Sequence, residues 1–414
     1  MTSRPIVALV LACCATGACS SSSGSSPATG DDGGSSVLPP PAAGQGIQLK
    51  FATTIAASSE DERCQFVQTT EDMWINSETI RYTPGSHHFL LWHTPYQNIP
   101  TADNSGKAVD TSGVFECIDG PNTGWNVDQI IGGAQAADAP PIVGNLPSDT
   151  ALHILAGSVL IMDLHVLNAA AKPFDTEVLM NLNTIPQSQV KQEAGVYFFY
   201  NPFIRVPADG SSHARMSCPV TSDVTLANLQ THMHKQGLGG VVNLVEPTGS
   251  MMQMYESHVW TDPPVSEFQP GMALQAGQAI DYECNYQNMQ NVDVLQGPTA
   301  AHNEMCVLIG SYYPRDLKFE DCSASGGWAY QGTGATFIGT GTATGAATYA
   351  CYKNAESQQQ ASNYTDLLYG CVVDSCPGIA KPLSAFILCA FKAGSNTDAA
   401  CGAEASAVQA AGCN

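Results

Sequence analysis

Positive charge is scarce in this sequence. Fifteen Lys and Arg stand against 37 Asp and Glu over 414 residues, a formal net charge of −22. Such a surface repels a phosphate backbone, which excludes nucleic acid as a partner, and its plain use is solubility. Charged residues of both signs make up only 13% of the chain, too few for long solvated helices. The abundant Gly, Ser, Thr and Pro suit a β-rich extracellular protein with many turns. Long apolar runs are missing too. A spanning helix needs about 18 uninterrupted apolar residues, and the nearest approach, Leu155 to Ala171, is broken by Asp163 and His165. There is no CxxC pair, which argues against a structural zinc ribbon.

What is present begins with an export signal: Arg4, then the short apolar run Ile6 to Cys14. Small residues lead to Cys19 in ATGAC, followed by SSSSGSS. The segment resembles a bacterial lipoprotein signal, which implies lipid on Cys19, a lipid anchor to a membrane and a periplasmic or cell-surface location. Thr16 stands where Leu is usual, Val10-Leu11-Ala12 before Cys13 is a rival site, and a plain secretory signal is the third reading. Of the 15 cysteines, Cys13, Cys14 and Cys19 fall in this region, leaving an even number for disulfides in an exported chain.

Texture divides the rest. Residues 1–19 are the signal, and 20–46, poor in apolar residues, read as a disordered tether. Two β-rich blocks follow, 47–187 and 188–325, with a junction in IPQSQVKQEA (185–194). Short β-branched runs between turn residues favour sandwiches or barrels over helices. Residues 326–346, rich in Gly and Thr, read as a linker. Residues 347–414 hold Cys351, Cys371, Cys376, Cys389, Cys401 and Cys413 in helix-favouring text, a small helical module stapled by three bridges in one of 15 connectivities.

Three groups of histidines fall in strand-like runs. In Thr231-His232-Met233-His234, the period of two puts both imidazoles on one face, able to share a metal. His87 and His88 are adjacent, so both reach one ion only through a twist or bulge, or through different ring nitrogens. His165 is a lone histidine in the apolar run LIMDLHVLN. Taken singly, each has a plainer reading: a strand face, a backbone-satisfied pair, a structural histidine. Asp163 shares a face with His165 on a regular strand, either as a carboxylate orienting the imidazole or as a solvated turn residue. His93 is surface or supporting, His302 a loop residue, and His153, His213 and His258 carry no motif. Tyr312 and Tyr313 read as core.

As an ordered set, HHFLL, LIMDLHVLN, LQTHMH and NEMCVLIGSYYP resemble the copper type II, ascorbate-dependent monooxygenases, the family of peptidylglycine hydroxylating monooxygenase and dopamine β-monooxygenase. The resemblance covers roughly residues 47–325. It implies two jelly-roll β-sandwiches across a solvent-filled gap, each carrying one copper. His87, His88 and His165 would hold the electron-transfer copper. His232, His234 and Met305 would hold the oxygen-activating one, where O2 and a small-molecule substrate with an aliphatic C–H bond meet. A thioether suits Cu(I). Ascorbate is the reductant implied, or another donor if the host is a bacterium. Implied too are the disulfides Cys64–Cys117, Cys218–Cys322 and Cys284–Cys306, the last pinning the strand that bears Met305. The peptidylglycine branch has Arg, Asn and Tyr where this chain has Gln230, Val307 and Ile309, so a peptide C-terminus is not the expected substrate. The amine branch is nearer. Two rival functions remain: a copper-storing protein of the same fold without turnover, and a structural cell-surface protein. No protein partner is expected.

Overall fold

The computed structural model describes residues 38–413, apart from 84–85, 118–119, 137–138, 145, 321, 323–333, 359, 361–362 and 395–396. The export signal, Cys19 and residues 20–37 of the expected tether lie outside the described residues. The last tether residues lie on the first sheet, where the Leu38 and Pro39 carbonyls accept hydrogen bonds from Gln48 and Asn181, both at 2.9 Å.

Alternation makes the strands. In Gly46–Ile55, Leu49, Phe51 and Ile55 are buried while Lys50 and Ala52 face water, the pattern of a half-buried strand. This strand, Phe174–Thr184, Met73–Tyr82, Thr150–Ile154 and Gln192–Glu193 form one sheet in that order. A second sheet runs Phe115–Glu116, Ser59–Gln68, Val159–Asn168, Ser86–His93, Gln129–Ala134. Phe51 of the first meets Phe89 of the second edge to face, centroids 6.3 Å apart, inside their common core. Gly133 is required here, because its φ is +137° and a Cβ would fall 2.3 Å from the Phe89 carbonyl oxygen.

The second half repeats the plan. Gly195–Tyr200, Val307–Tyr313, Val224–His232 and Ser266–Leu274 form a four-stranded sheet. Facing it are Met251–Ser257, Gly237–Val245, Ala279–Gln287, Ser211–Pro219 and Thr336–Ile338. Tyr282 ties the two by donating to the Phe199 carbonyl at 2.8 Å. The last of these strands corrects the expected linker: Thr336–Ile338 pairs with Arg215–Ser217 and joins the sheet. Beyond it, four helices, Gly345–Glu356, Tyr364–Val373, Ala380–Ala393 and Gly402–Ala410, are bridged by Cys351–Cys371, Cys376–Cys413 and Cys389–Cys401. Thr344 caps the first of them through Ala347 N–H. The remaining bridges are Cys64–Cys117, Cys218–Cys322 and Cys284–Cys306, the same pairings the resemblance implies.

The two sandwiches are in contact. Val196, Ala227, Val307 and Ile309 of the second join the apolar cluster of the first. Asn228 Nδ2 donates to the Ile142 carbonyl at 3.0 Å, and Arg315 Nη2 to Gln129 Oε1 at 2.8 Å. Val159–Asn168 is therefore buried at every position but Leu167. One face packs into its own sandwich and the other looks toward the neighbour. Six paired disulfides suit an oxidising compartment.

Candidate metal centre

A β-bulge gathers the first set. Ser86 pairs with Val166 but His88 with His165, which leaves His87 as the extra residue. Both adjacent imidazoles can then turn toward one point. His88 sits directly opposite His165, and His165 directly opposite Glu62. One row across three strands thus carries Glu62, His165 and His88. One ring nitrogen from each of His87, His88 and His165 lies within 4.8 Å of the others. His165 Nε2 is 2.9 Å from Glu60 Oε1, so this N–H donates to the carboxylate and leaves the Nδ1 lone pair available to a metal.

The second set stands where a strand ends. His232 closes Val224–His232, Met233 points into the sandwich core, and His234 follows in the turn, so the alternation carries one residue past the strand. His232 Nδ1 lies 2.7 Å from Gln135 Oε1, and His234 Nδ1 lies 3.2 Å from the Asn303 carbonyl. Each Nε2 is thereby turned inward. Met305 leads into Val307–Tyr313. Its carbonyl accepts from Tyr286 Oη at 2.9 Å, and the neighbouring Cys306 is bonded to Cys284. Glu304, wholly buried, accepts from the N–H groups of His234 and Gln236. Burial pushes its carboxyl up to about 7, against the pull of those amides.

The two sets meet. His87 is 5.0 Å from His232 and 5.8 Å from His234 between ring centroids, and His88 is 5.3 Å from His232. A nitrogen of His87 also lies within 4.8 Å of nitrogens of His232 and His234. The expected solvent-filled gap is replaced here by one five-histidine cluster, because the sandwiches share an apolar contact that closes the space between them. Trp260 of the second sandwich packs on His87 at 6.0 Å. Met305 lines the same cavity as His88, His165 and His232.

The cluster suits a metal. Burial, and then the neighbouring histidines, hold His87, His88 and His234 well below the ordinary imidazole range and His232 down to about 3. These four rings are neutral at physiological pH and offer lone pairs. His87 Nε2, His88 Nδ1 and His234 Nε2 are buried without a hydrogen-bond partner among the described residues. Orphaned donors in this number are costly unless something binds them. Imidazoles with a thioether suit copper better than a hard, oxygen-seeking cation. Cys64 and Cys117 lie near Asp163 but are bonded to each other and offer no thiolate.

Beside the cluster opens a cavity of about 400 Å³. Trp92, Phe198, Tyr200, Val307 and Ile309 give it apolar walls, and Glu62 and Asp163 a carboxylate corner. Asp163 accepts from Trp92 Nε1 at 3.2 Å. Burial pushes its carboxyl up to about 6, with hydrogen bonds from Glu62 and Trp92 opposing. Gln230, 1% exposed, keeps both amide atoms unpartnered among the described residues. Outside the centre, His93 pairs with Asp128 at 2.7 Å, His153 stacks on Trp74, and His213, His258 and His302 are exposed. Glu60, Gln135, Tyr286 and Trp260 had no signal in the sequence. Each acts through a tertiary contact that residue type alone does not announce.

Residues 192–332, essentially the second sandwich, match the family described as copper type II ascorbate-dependent monooxygenase, C-terminal domain. The sandwich carrying His87, His88 and His165 lies outside that match. No curated protein matches the chain. Among solved structures, the chain is similar to the major capsid protein P2 of bacteriophage PM2 at 9% identity. That likeness covers 65% of this chain and 99% of the other, with a TM-score of 0.26, too slight to bear on function.

Proposed function

From the chain's membership of the copper type II, ascorbate-dependent monooxygenase family, we propose that it hydroxylates a C–H bond of a small organic substrate, with O2 and two external electrons. The balance is R–H + O2 + 2e⁻ + 2H⁺ → R–OH + H2O. His87, His88 and His165 would hold one copper, and His232, His234 and Met305 the other. The observation that carries this is the convergence of five buried histidines, three of them with an orphaned ring nitrogen. Bound copper supplies the one-electron steps and the activation of O2.

The protein's own part is legible residue by residue. Glu60, Gln135 and the Asn303 carbonyl fix the tautomer of His165, His232 and His234 and aim the opposite nitrogen inward. Tyr286 and the Cys284–Cys306 bridge hold the otherwise flexible Met305 in place. Trp92, Phe198 and Ile309 exclude water from the substrate cavity and give no anchor for a carboxylate. Ascorbate, the family's reductant, would deliver the electrons, or a donor of similar potential.

The test is direct. Protein loaded with copper and washed with chelator should retain one ion for each set by elemental analysis. With ascorbate and a panel of small amines and aromatic compounds it should consume O2 and place oxygen-18 from labelled O2 in a product. Retention of copper with O2 uptake no faster than free copper gives would identify a copper-binding protein without turnover. Failure to retain copper at all would sink both readings.

A further inference from the structure

One carboxylate touches both halves of the centre. Glu60 belongs to the first sandwich, on Ser59–Gln68. Its Oε1 takes His165 Nε2–H at 2.9 Å and Ala300 N–H at 2.5 Å, and its Oε2 takes Ala301 N–H at 3.3 Å. Ala300 and Ala301 lie in the second sandwich, in a small turn closed by Asn303 N–H to the Thr299 carbonyl at 2.9 Å and by Thr299 Oγ1 to Asn303 Oδ1 at 2.8 Å. The same turn orients His234 through the Asn303 carbonyl and runs into Glu304 and Met305. A continuous chain of hydrogen bonds therefore leads from His165 through Glu60 to the turn and on to His234, with Met305 two residues past Asn303.

We propose that Glu60 is a positioning residue that sets both metal sites at once, holding the His165 ring and the Met305-bearing turn with a single carboxylate. The inference rests on reading His165 and Met305 as ligands of separate coppers. An ionised carboxylate is acceptor-only and can serve three donors together, and hydrogen bonds to it are roughly twice as strong as neutral ones. An amide cannot replace it: it offers one accepting oxygen, and its NH2 would face an N–H group. Among the described residues, the Ala300 and Ala301 N–H groups make no other hydrogen bond to the first sandwich.

Two readouts on the full chain test this. In copper-free protein, amide hydrogen exchange over residues 299–305 should rise roughly tenfold in Glu60→Gln, since the turn loses its anchor. In protein loaded with Cu(I), the sulfur scattering from Met305 in X-ray absorption should weaken in the same variant, although Met305 is unchanged. Wild-type exchange and a wild-type sulfur signal, with copper lost from the first set alone, would overturn the proposal and leave Glu60 as a partner of His165 only. Should Glu60→Gln fail to fold, Glu60→Asp keeps the charge but loses the reach to span ring and turn, and is read the same way. The exchange measurement needs no copper. A chain that binds no metal would thus defeat the functional reading while the tether still stood or fell on exchange.

Discussion

Met305 is the one sulfur among the six proposed ligands, and a thioether is the soft donor that favours reduced copper. Met305→Ile keeps the bulk of the side chain and removes the sulfur. The expected result is hydroxylation lost by orders of magnitude while copper at His87, His88 and His165 is retained, read by O2 uptake beside elemental analysis. Full activity in this variant would mean that the oxygen-activating metal sits elsewhere. His165→Ala acts on the other side. Even loss of a partner that orients a ligand weakens metal binding by about 10–100-fold, so loss of the ring itself should cost the first copper at least that much, with the His232 and His234 site still filled. At this scale the sequence was readable where residue type alone announces chemistry, as in HisHis, HxH and Glu-Met-Cys. Glu60 and Gln135 were not, because a carboxylate or amide acquires its role only from the ring it faces.

At the scale of elements, two devices bring the proposed ligands to their places. The bulge at His87 removes the obstacle that alternation sets against adjacent ligands, and the sequence could state that need without locating its solution. The Cys284–Cys306 bridge clamps the approach to Val307–Tyr313 against Ala279–Gln287. Replacing both cysteines by serine opens a loop of 22 residues, for which loop-closure entropy predicts a loss of about 3 kcal/mol. Thermal unfolding should show that loss, together with weakened sulfur scattering from Met305. A lower midpoint with intact scattering would make the bridge a stabiliser only. The strand Thr336–Ile338 shows why the region after Cys322 was hard to read. Its Gly- and Thr-rich surroundings carry no clear alternation, and the strand exists because Ser211–Pro219 offers it an open edge. Val159–Asn168, by contrast, was visible as an apolar run, and its single histidine makes sense once both strand faces are buried.

The whole molecule carries one stability prediction that is independent of metal. Glu78, in Met73–Tyr82, is fully buried. Burial pushes its carboxyl up to about 8, only partly offset by the N–H groups of Gly133 and Val143. Because the folded value lies above the ordinary 4.5, the folded chain keeps a proton that the unfolded chain releases. Stability from this group is therefore greatest below about 4.5 and falls as pH rises toward about 8. Glu78→Gln cannot ionise. Its unfolding free energy relative to wild type should climb between pH 5 and 8, by on the order of several kcal/mol over the full window, as read by denaturant unfolding at each pH. Parallel curves would show that Glu78 finds water or a cation in solution.

The arrangement of the two sandwiches would decide how the two proposed coppers communicate. Sequence resemblance implied separate sites, and no residue pattern could have said otherwise, since the distance between them depends on how two independently built sandwiches dock. The docking seen here has definite causes: the shared apolar cluster around Val196, Val307 and Ile309, the Asn228 and Arg315 hydrogen bonds, and Glu60. It brings His87 within 5.0 Å of His232 between ring centroids. Two Cu(II) ions held by such neighbouring rings should interact magnetically, so the copper visible by electron paramagnetic resonance should fall well below the copper present by elemental analysis. Arg315→Ala removes the hydrogen bond to Gln129 that ties the second sandwich to the first, which should loosen the docking and raise the visible fraction. Two independent full-intensity signals in the wild-type protein would show that the sandwiches part in solution, and electrons would then have to cross a gap that this arrangement closes.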